Sequence, residues 1–142
     1  MKQLHRVLYC SRSRLPGGAA EVGRGLRQIL ERSRQNNAAT GLTGSLLFTE
    51  SLFAQVLEGP IEALCATFER IQCDERHHDV TVLEFLPVRA REFPHWSMAY
   101  AAPGPQALPV LKAALHGAAV PEAGRILAAL HEVVRGADVG AK

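Results

Sequence analysis

Two apolar runs, Gly41-Leu42-Thr43-Gly44-Ser45-Leu46-Leu47-Phe48-Thr49 and Leu52-Phe53-Ala54-Gln55-Val56-Leu57, flank the pair Glu50-Ser51. Both runs read as strands, and the two residues between them are hairpin spacing. Side chains alternate faces along a strand. In the second run Phe53, Gln55 and Leu57 share one side, and Leu52, Ala54 and Val56 the other. Both sides are apolar, so a sheet built on this strand needs cover on both faces. Glu58-Gly59-Pro60 stops the run and opens a helix, with Pro60 near its first turn.

Working outward, Leu4, Val7, Leu8, Tyr9 and Cys10 mark a strand over Leu4 to Ser11, closed by the loop Pro16-Gly17-Gly18. From Ala19 to about Gln35, Val22, Leu26, Ile29 and Leu30 recur at helical spacing, and Asn36-Asn37 with Gly41 marks the stop. Beyond the hairpin, Ile61, Leu64, Phe68 and Ile71 form the stripe of a second helix, whose polar end is Cys73 to His78. Strands are predicted over Val80 to Val88 and Trp96 to Ala101. After Pro103-Gly104-Pro105 two helices are predicted, Ala107 to Leu115 and Pro121 to Val134, with Gly136 to Lys142 frayed. The order β-α-β-β-α-β is the ferredoxin-like α+β arrangement, with an extra strand and two C-terminal helices. It places the first and third strands side by side and both core helices on one face. The C-terminal helices, or a second subunit, then cover the other. Residues 1–101 form the core domain and 102–142 a helical extension.

With 142 residues, 47% hydrophobic and 21% charged, the chain has the composition of one globular domain and not of a disordered polymer. A net charge of +2 gives no nucleic-acid footprint and no polybasic membrane anchor. No apolar run approaches a membrane span, and the first residues do not read as a signal peptide. Cys10, Cys65 and Cys73 lack framework spacing, which fits a reduced, cytoplasmic protein. The adjacent His77 and His78 do not share a helix face, so no metal site is expected.

Gln55 breaks the apolar pattern of its strand. An amide between Phe53 and Leu57 needs a hydrogen-bond partner once buried. Val7, Tyr9 and Ser11 share a face of the first strand, so Tyr9 meets Gln55 if the two strands are neighbours; a loop could serve the amide instead. At about 100° per residue, Asn36 and Asn37 fall on either side of the extended apolar stripe, though Asn is also a common helix stop. Gly25 and Ser33 leave room beside that helix. Arg70 and Asp74 flank the second stripe at a spacing that also suits a solvated ion pair. Together these groups suit a slot for a flat heterocycle with amide-like donors and acceptors and a phosphate tail.

The chain resembles the BLUF family, sensors of blue light using FAD, over about residues 3–101. The resemblance rests on Leu8-Tyr9-Cys10-Ser11, Asn36-Asn37, Gly41-Leu42-Thr43-Gly44, Phe53-Ala54-Gln55-Val56-Leu57-Glu58-Gly59, Arg70-Ile71, Asp74-Glu75-Arg76-His77 and Phe93-Pro94-His95-Trp96-Ser97-Met98. It implies that Tyr9 is the photoactive tyrosine and that Gln55 sits between it and the flavin. Asn36 and Asn37 become ring contacts, with Asn37 at the C2/C4 carbonyl edge. Arg70 and Asp74 are further edge contacts, and Arg76 and His77 also bind the cofactor. Ile29, Phe53 and Ile71 pack around the isoalloxazine. Trp96 and Met98 exchange or adjust position on the last strand, one of them approaching Gln55. Leu42 stands where Ile is usual, and Ala54 where a larger residue is usual.

The implied cofactor is FAD, and FMN or riboflavin carries the same ring. Light moves an electron and a proton from Tyr9 through Gln55 and leaves altered hydrogen bonds without net chemistry, so no enzyme is expected. The signal passes through the last strand and C-terminal helices. With no room for a fused catalytic domain by residue 142, output goes to a separate signalling protein or through a homo-oligomer, with no nucleic-acid or membrane partner. The alternative is a small ferredoxin-like phosphate-ester or acylphosphate hydrolase. Its phosphate loop would have to be built from Gly17-Gly18.

Overall fold

The structure, a computed structural model, describes residues 3–100, 107–115 and 119–136. Its elements are β1 (Leu4–Ser13), α1 (Ala19–Thr40), β2 (Thr43–Thr49), β3 (Leu52–Pro60), α2 (Ile61–Gln72), β4 (His77–Val88), β5 (Ala99–Tyr100), α3 (Ala107–Leu115) and α4 (Ala119–Gly136). The sheet order is β4-β1-β3-β2-β5, antiparallel throughout except for β5, which runs parallel to β2. This is the ferredoxin-like α+β fold, with β1 and β3 adjacent and one strand added beyond β2.

The hairpin forms where expected. Thr49 pairs with Leu52, and Glu50 and Ser51 both take positive φ, 44° and 69°. Two left-handed residues make the turn whose twist matches the flanking strands.

Most ends shift by a few residues, and three of the differences from the sequence reading bear on the site. Helix α1 runs through Asn36 and Asn37 to Thr40 and closes at Gly41, at φ 77°, whose N–H bonds the Asn37 carbonyl. Ala38 and Ala39 favour helix strongly enough to carry it past two weak breakers to a glycine that takes the left-handed cap without strain. Helix α2 stops at Gln72, and His77 and His78 open β4 instead, paired with Ser13 and Arg12 at the end of β1. Strand β5 is confined to Ala99–Tyr100, so Trp96 and Met98 precede it. Of the stretch expected to fray, Gly136 closes α4 and residues 137–142 lie outside the described residues, as does Ala101, the expected end of the last strand.

Each face of the sheet carries a core. Val7, Tyr9, Phe53, Leu57 and Met98 pack with Leu26 and Leu30 of α1 and Leu64 and Phe68 of α2. On the other face Leu8, Cys10, Ala54, Val56 and Trp96 pack with Leu111 of α3 and Ile126 and Leu130 of α4. The C-terminal helices thus cover the second face. Leu111, Ile126 and Leu130 are at most 1% exposed, and burying each side chain is worth roughly 1.5–3 kcal/mol. No helix among the described residues is long and apolar enough to cross a membrane.

The segment between β4 and β5 is tied down by polar groups. The Glu58 carboxylate is fully buried and accepts from the backbone N–H of Glu92 at 2.7 Å, that of Phe93 at 2.6 Å, and the Thr43 hydroxyl at 2.9 Å. Arg91 braces the cluster by donating to Thr43 Oγ1 at 2.8 Å and to the Gly41 carbonyl at 2.7 Å. Gly44 donates its N–H to the Trp96 carbonyl at 3.0 Å. A Cβ at Gly44 would stand 2.1 Å from the Val56 carbonyl oxygen, so no larger residue fits there. Further along β2, the buried Ser45 hydroxyl donates to the Leu130 carbonyl of α4 at 3.0 Å.

Candidate functional site

A cavity of about 360 Å³ opens between the sheet and helices α1 and α2. The sheet contributes Tyr9, Leu46, Phe53, Gln55 and Leu57; α1 contributes Ile29, Arg32, Ser33, Asn36 and Asn37. Thr67, Arg70 and Ile71 come from α2, and Asp74, Arg76 and His77 from the chain leading into β4. All eleven residues that the sequence marked as cofactor-binding lie on this wall.

Tyr9 and Gln55 face each other because they are directly paired in the β1–β3 register. The Tyr9 hydroxyl donates to Gln55 Oε1 at 2.5 Å. Burial pushes the Tyr9 pKa far above its ordinary value, and the nearby Cys10 and Asp74 push it the same way. The phenol is therefore held neutral. The other end of the amide, Nε2, points at Met98 Sδ at 3.6 Å. A thioether is a weak acceptor, so little holds the NH₂ end in place.

The asparagines sit at the end of α1 in one network, Asn36 Nδ2 donating to Asn37 Oδ1 at 3.3 Å, and each reaches a different neighbour. Asn36 Nδ2 donates to Thr67 Oγ1 at 3.1 Å, and its Oδ1 accepts from Arg70 Nη2 at 2.7 Å. Asn37, 1% exposed, donates to the Ser97 carbonyl at 2.7 Å. One amide therefore ties α1 to α2 and the other ties it to the segment before β5.

Arg70 and Asp74 do not pair as their spacing suggested, because α2 ends before Asp74. Asp74 binds Arg76 instead, accepting from its backbone N–H and its guanidinium. Those hydrogen bonds hold the Asp74 carboxyl below its usual value and raise the Arg76 pKa. His77 lies against the Ile71 carbonyl through Nε2 and against Ser11 Oγ, at 2.7 Å, through Nδ1. A carbonyl only accepts, so Nε2 carries a proton and donates to it.

Trp96 does not reach the cavity. It packs in the opposite core with α3 and α4, and Met98 is the one that meets Gln55. Arg32, Leu46, Leu57 and Thr67 are wall residues that the sequence reading did not assign to the site. Thr67 carried a signal, since a polar residue there interrupts the stripe between Leu64 and Phe68. Arg32 carried one too, standing one turn before Asn36.

Chemically, the site offers apolar side chains, amides, a carboxylate–guanidinium pair, and a buried phenol hydrogen-bonded to an amide. These groups suit a planar heterocycle with carbonyl and imide edges. Gly17 and Gly18 are not on the wall, so the phosphate loop that a hydrolase requires is missing from the site. Fold and site together define a chromophore-binding α+β module. The comparisons specify it: the family described as "BLUF: Sensors of blue-light using FAD" matches residues 4–99, and the chain belongs to that family.

Among solved structures, "BlrB - a BLUF protein, dark state structure" is 30% identical with a TM-score of 0.75, covering 96% of this chain and 98% of that one. "BlsA photo-activated state" is 25% identical with a TM-score of 0.73, covering 92% and 94%. Klebsiella pneumoniae BlrP1, solved with FMN and cyclic diGMP, is 35% identical with a TM-score of 0.59, covering 67% of this chain and 24% of that chain. The photoactivated adenylate cyclase subunit beta of Euglena gracilis is 38% identical over 74 residues, 51% of this chain. That match spans only 9% of the subunit.

Proposed function

We propose that this chain is a blue-light receptor that holds FAD with the isoalloxazine among Ile29, Phe53 and Ile71 and its carbonyl edge on Asn37. Asn36, Arg70 and Asp74 take the rest of the ring edge, and Arg76 and His77 complete the site. One observation carries this reading: the Tyr9–Gln55 hydrogen bond is buried in the wall of a cavity of suitable size and chemistry. FMN or riboflavin brings the same ring.

Bound flavin supplies blue-light absorption and a one-electron acceptor. The side chains do the rest. Tyr9 keeps its proton in the dark because burial disfavours the phenolate. When Tyr9 gives up an electron, its phenol becomes strongly acidic, and Gln55 Oε1 is already in place to take the proton. Return of both the electron and the proton to Tyr9 restores the phenol and leaves the amide rotated or tautomerised, since its two ends offer opposite hydrogen-bond character. Gln55 then changes its contact with Met98, which leads into β5. Trp96, Phe93 and the helices α3 and α4 lie next along that path, with Phe93 stacked on His131 of α4 at 4.7 Å between ring centroids.

In this reading residues 1–101 sense and 102–142 transmit. The chain itself transforms no substrate, and output passes to a separate signalling protein. Self-association belongs to the same reading, because Val82 and Phe85 stand exposed on the edge strand β4. The unbridged cysteines fit a reducing cytoplasm.

The test is a light-minus-dark absorption spectrum of the FAD-loaded protein. A flavin band that shifts to the red under blue light and returns in the dark is expected. Bound flavin with no reversible shift overturns the proposal.

A further inference from the structure

We infer that Arg32 is a phosphate subsite, so that the chain binds FMN and FAD in preference to riboflavin. This rests on the flavin reading above and adds a choice among flavins to it. Three guanidinium groups line the cavity, against one carboxylate. Two of them are engaged. Arg76 is held by Asp74, and Arg70 donates to Asn36 Oδ1 and Thr67 Oγ1. Arg32 lines the same wall, is exposed, and makes no hydrogen bond or ion pair with any described residue.

Its place on α1 gives the charge a use. Ile29, Arg32, Ser33 and Asn36 follow one another along the cavity face of the helix. Arg32 therefore stands about one helical turn, roughly 5.4 Å along the axis, from the amide at the ring site. A neutral ring has no need of a cation there. A phosphate does, and guanidinium pairs with phosphate through charge-assisted, often forked hydrogen bonds. Glu31, the neighbouring carboxylate on the helix, does not line the cavity and leaves the charge uncancelled at the wall. Because Arg32 is exposed, its effect is modest and screened by salt.

The experiment titrates the flavin-free chain with riboflavin, FMN and FAD, followed by flavin fluorescence, at low and high salt. Wild type is expected to bind FMN and FAD roughly fivefold more tightly than riboflavin at low salt, a preference that fades at high salt. Arg32→Gln should erase the preference and leave riboflavin affinity unchanged. Arg27→Gln, an exposed change off the cavity wall, should keep it. Equal affinities for the three flavins in wild type, or a preference that survives in Arg32→Gln, overturns the inference. If none of the three binds wild type, the flavin reading itself falls and takes this inference with it.

Discussion

Met98 and Trp96 are two residues apart yet belong to opposite layers of the core, Met98 beside Gln55 and Trp96 against α3 and α4. On a strand they would share a face. They do not, because the chain bends at residues 97 and 98 before β5 begins. The bend is held from three sides. Asn37 donates to the Ser97 carbonyl, Arg34 to the Met98 carbonyl at 3.1 Å, and Gly44 to the Trp96 carbonyl.

The two residues should therefore separate in mutagenesis. Trp96→Phe is expected to leave flavin affinity within about twofold and to lower stability, since its ring packs with the C-terminal helices. Met98→Ala should cost about 2–5 kcal/mol. Met98→Leu should cost under about 1.5 kcal/mol and still change the dark-recovery time, because the sulfur acceptor for Gln55 is gone. Urea titration and recovery kinetics check this, and a Met98→Leu protein that recovers at the wild-type rate contradicts it.

Tyr9→Phe keeps the ring and removes the donor to Gln55 Oε1. A buried acceptor left unpaired costs about 1–3 kcal/mol. Flavin should still bind while the light-induced red shift disappears. A normal photocycle in Tyr9→Phe would show that another residue is the donor.

Outside the cavity, the buried Glu58 carboxylate gathers three hydrogen-bond donors. Glu58→Ala strands two backbone N–H groups and a threonine hydroxyl, and is expected to destabilise by about 3–5 kcal/mol. Glu58→Gln keeps an acceptor oxygen and should lose distinctly less. Equal losses in the two variants would mean that packing, not hydrogen bonding, sets the contribution of the site.

Stability should fall in alkali, and Cys10 gives part of the slope. Burial pushes its thiol from 9.0 up to about 12. The unfolded chain loses this proton first. The group's contribution is thus complete below pH 9 and lost as pH rises from 9 to about 12. Tyr9 acts in the same direction above its ordinary value of 10.0. Cys10→Ala should flatten the decline by about 1.4 kcal/mol per pH unit in that window. Urea midpoints between pH 8 and 11 that run parallel in the two proteins would refute the assignment.

The hairpin, the strand pairing and the Tyr9–Gln55 meeting were all legible, because each follows from face alternation plus one turn. What escaped depended on where elements stop. Asn36-Asn37 looked like a helix end, but local breaker strength is outweighed by Ala38-Ala39 and the cap at Gly41. Asp74 looked like a partner for Arg70 only if α2 continued, and it does not. Trp96 and Met98 looked like neighbours on one strand, which a bend undoes. Thr67 and Arg32 left only weak marks, a polar break in one stripe and a position one turn before Asn36, which gain meaning once the opposing wall is known.

Ser45 suspends α4 from β2 through the Leu130 carbonyl, and the very next residue, Leu46, is a wall of the cavity. The strand is thus a diaphragm, with the pigment pocket on one side and the outer helix hung from the other. Under the proposed function, a disturbance at the pigment would have a single peptide unit to cross before it reached the bond that holds α4.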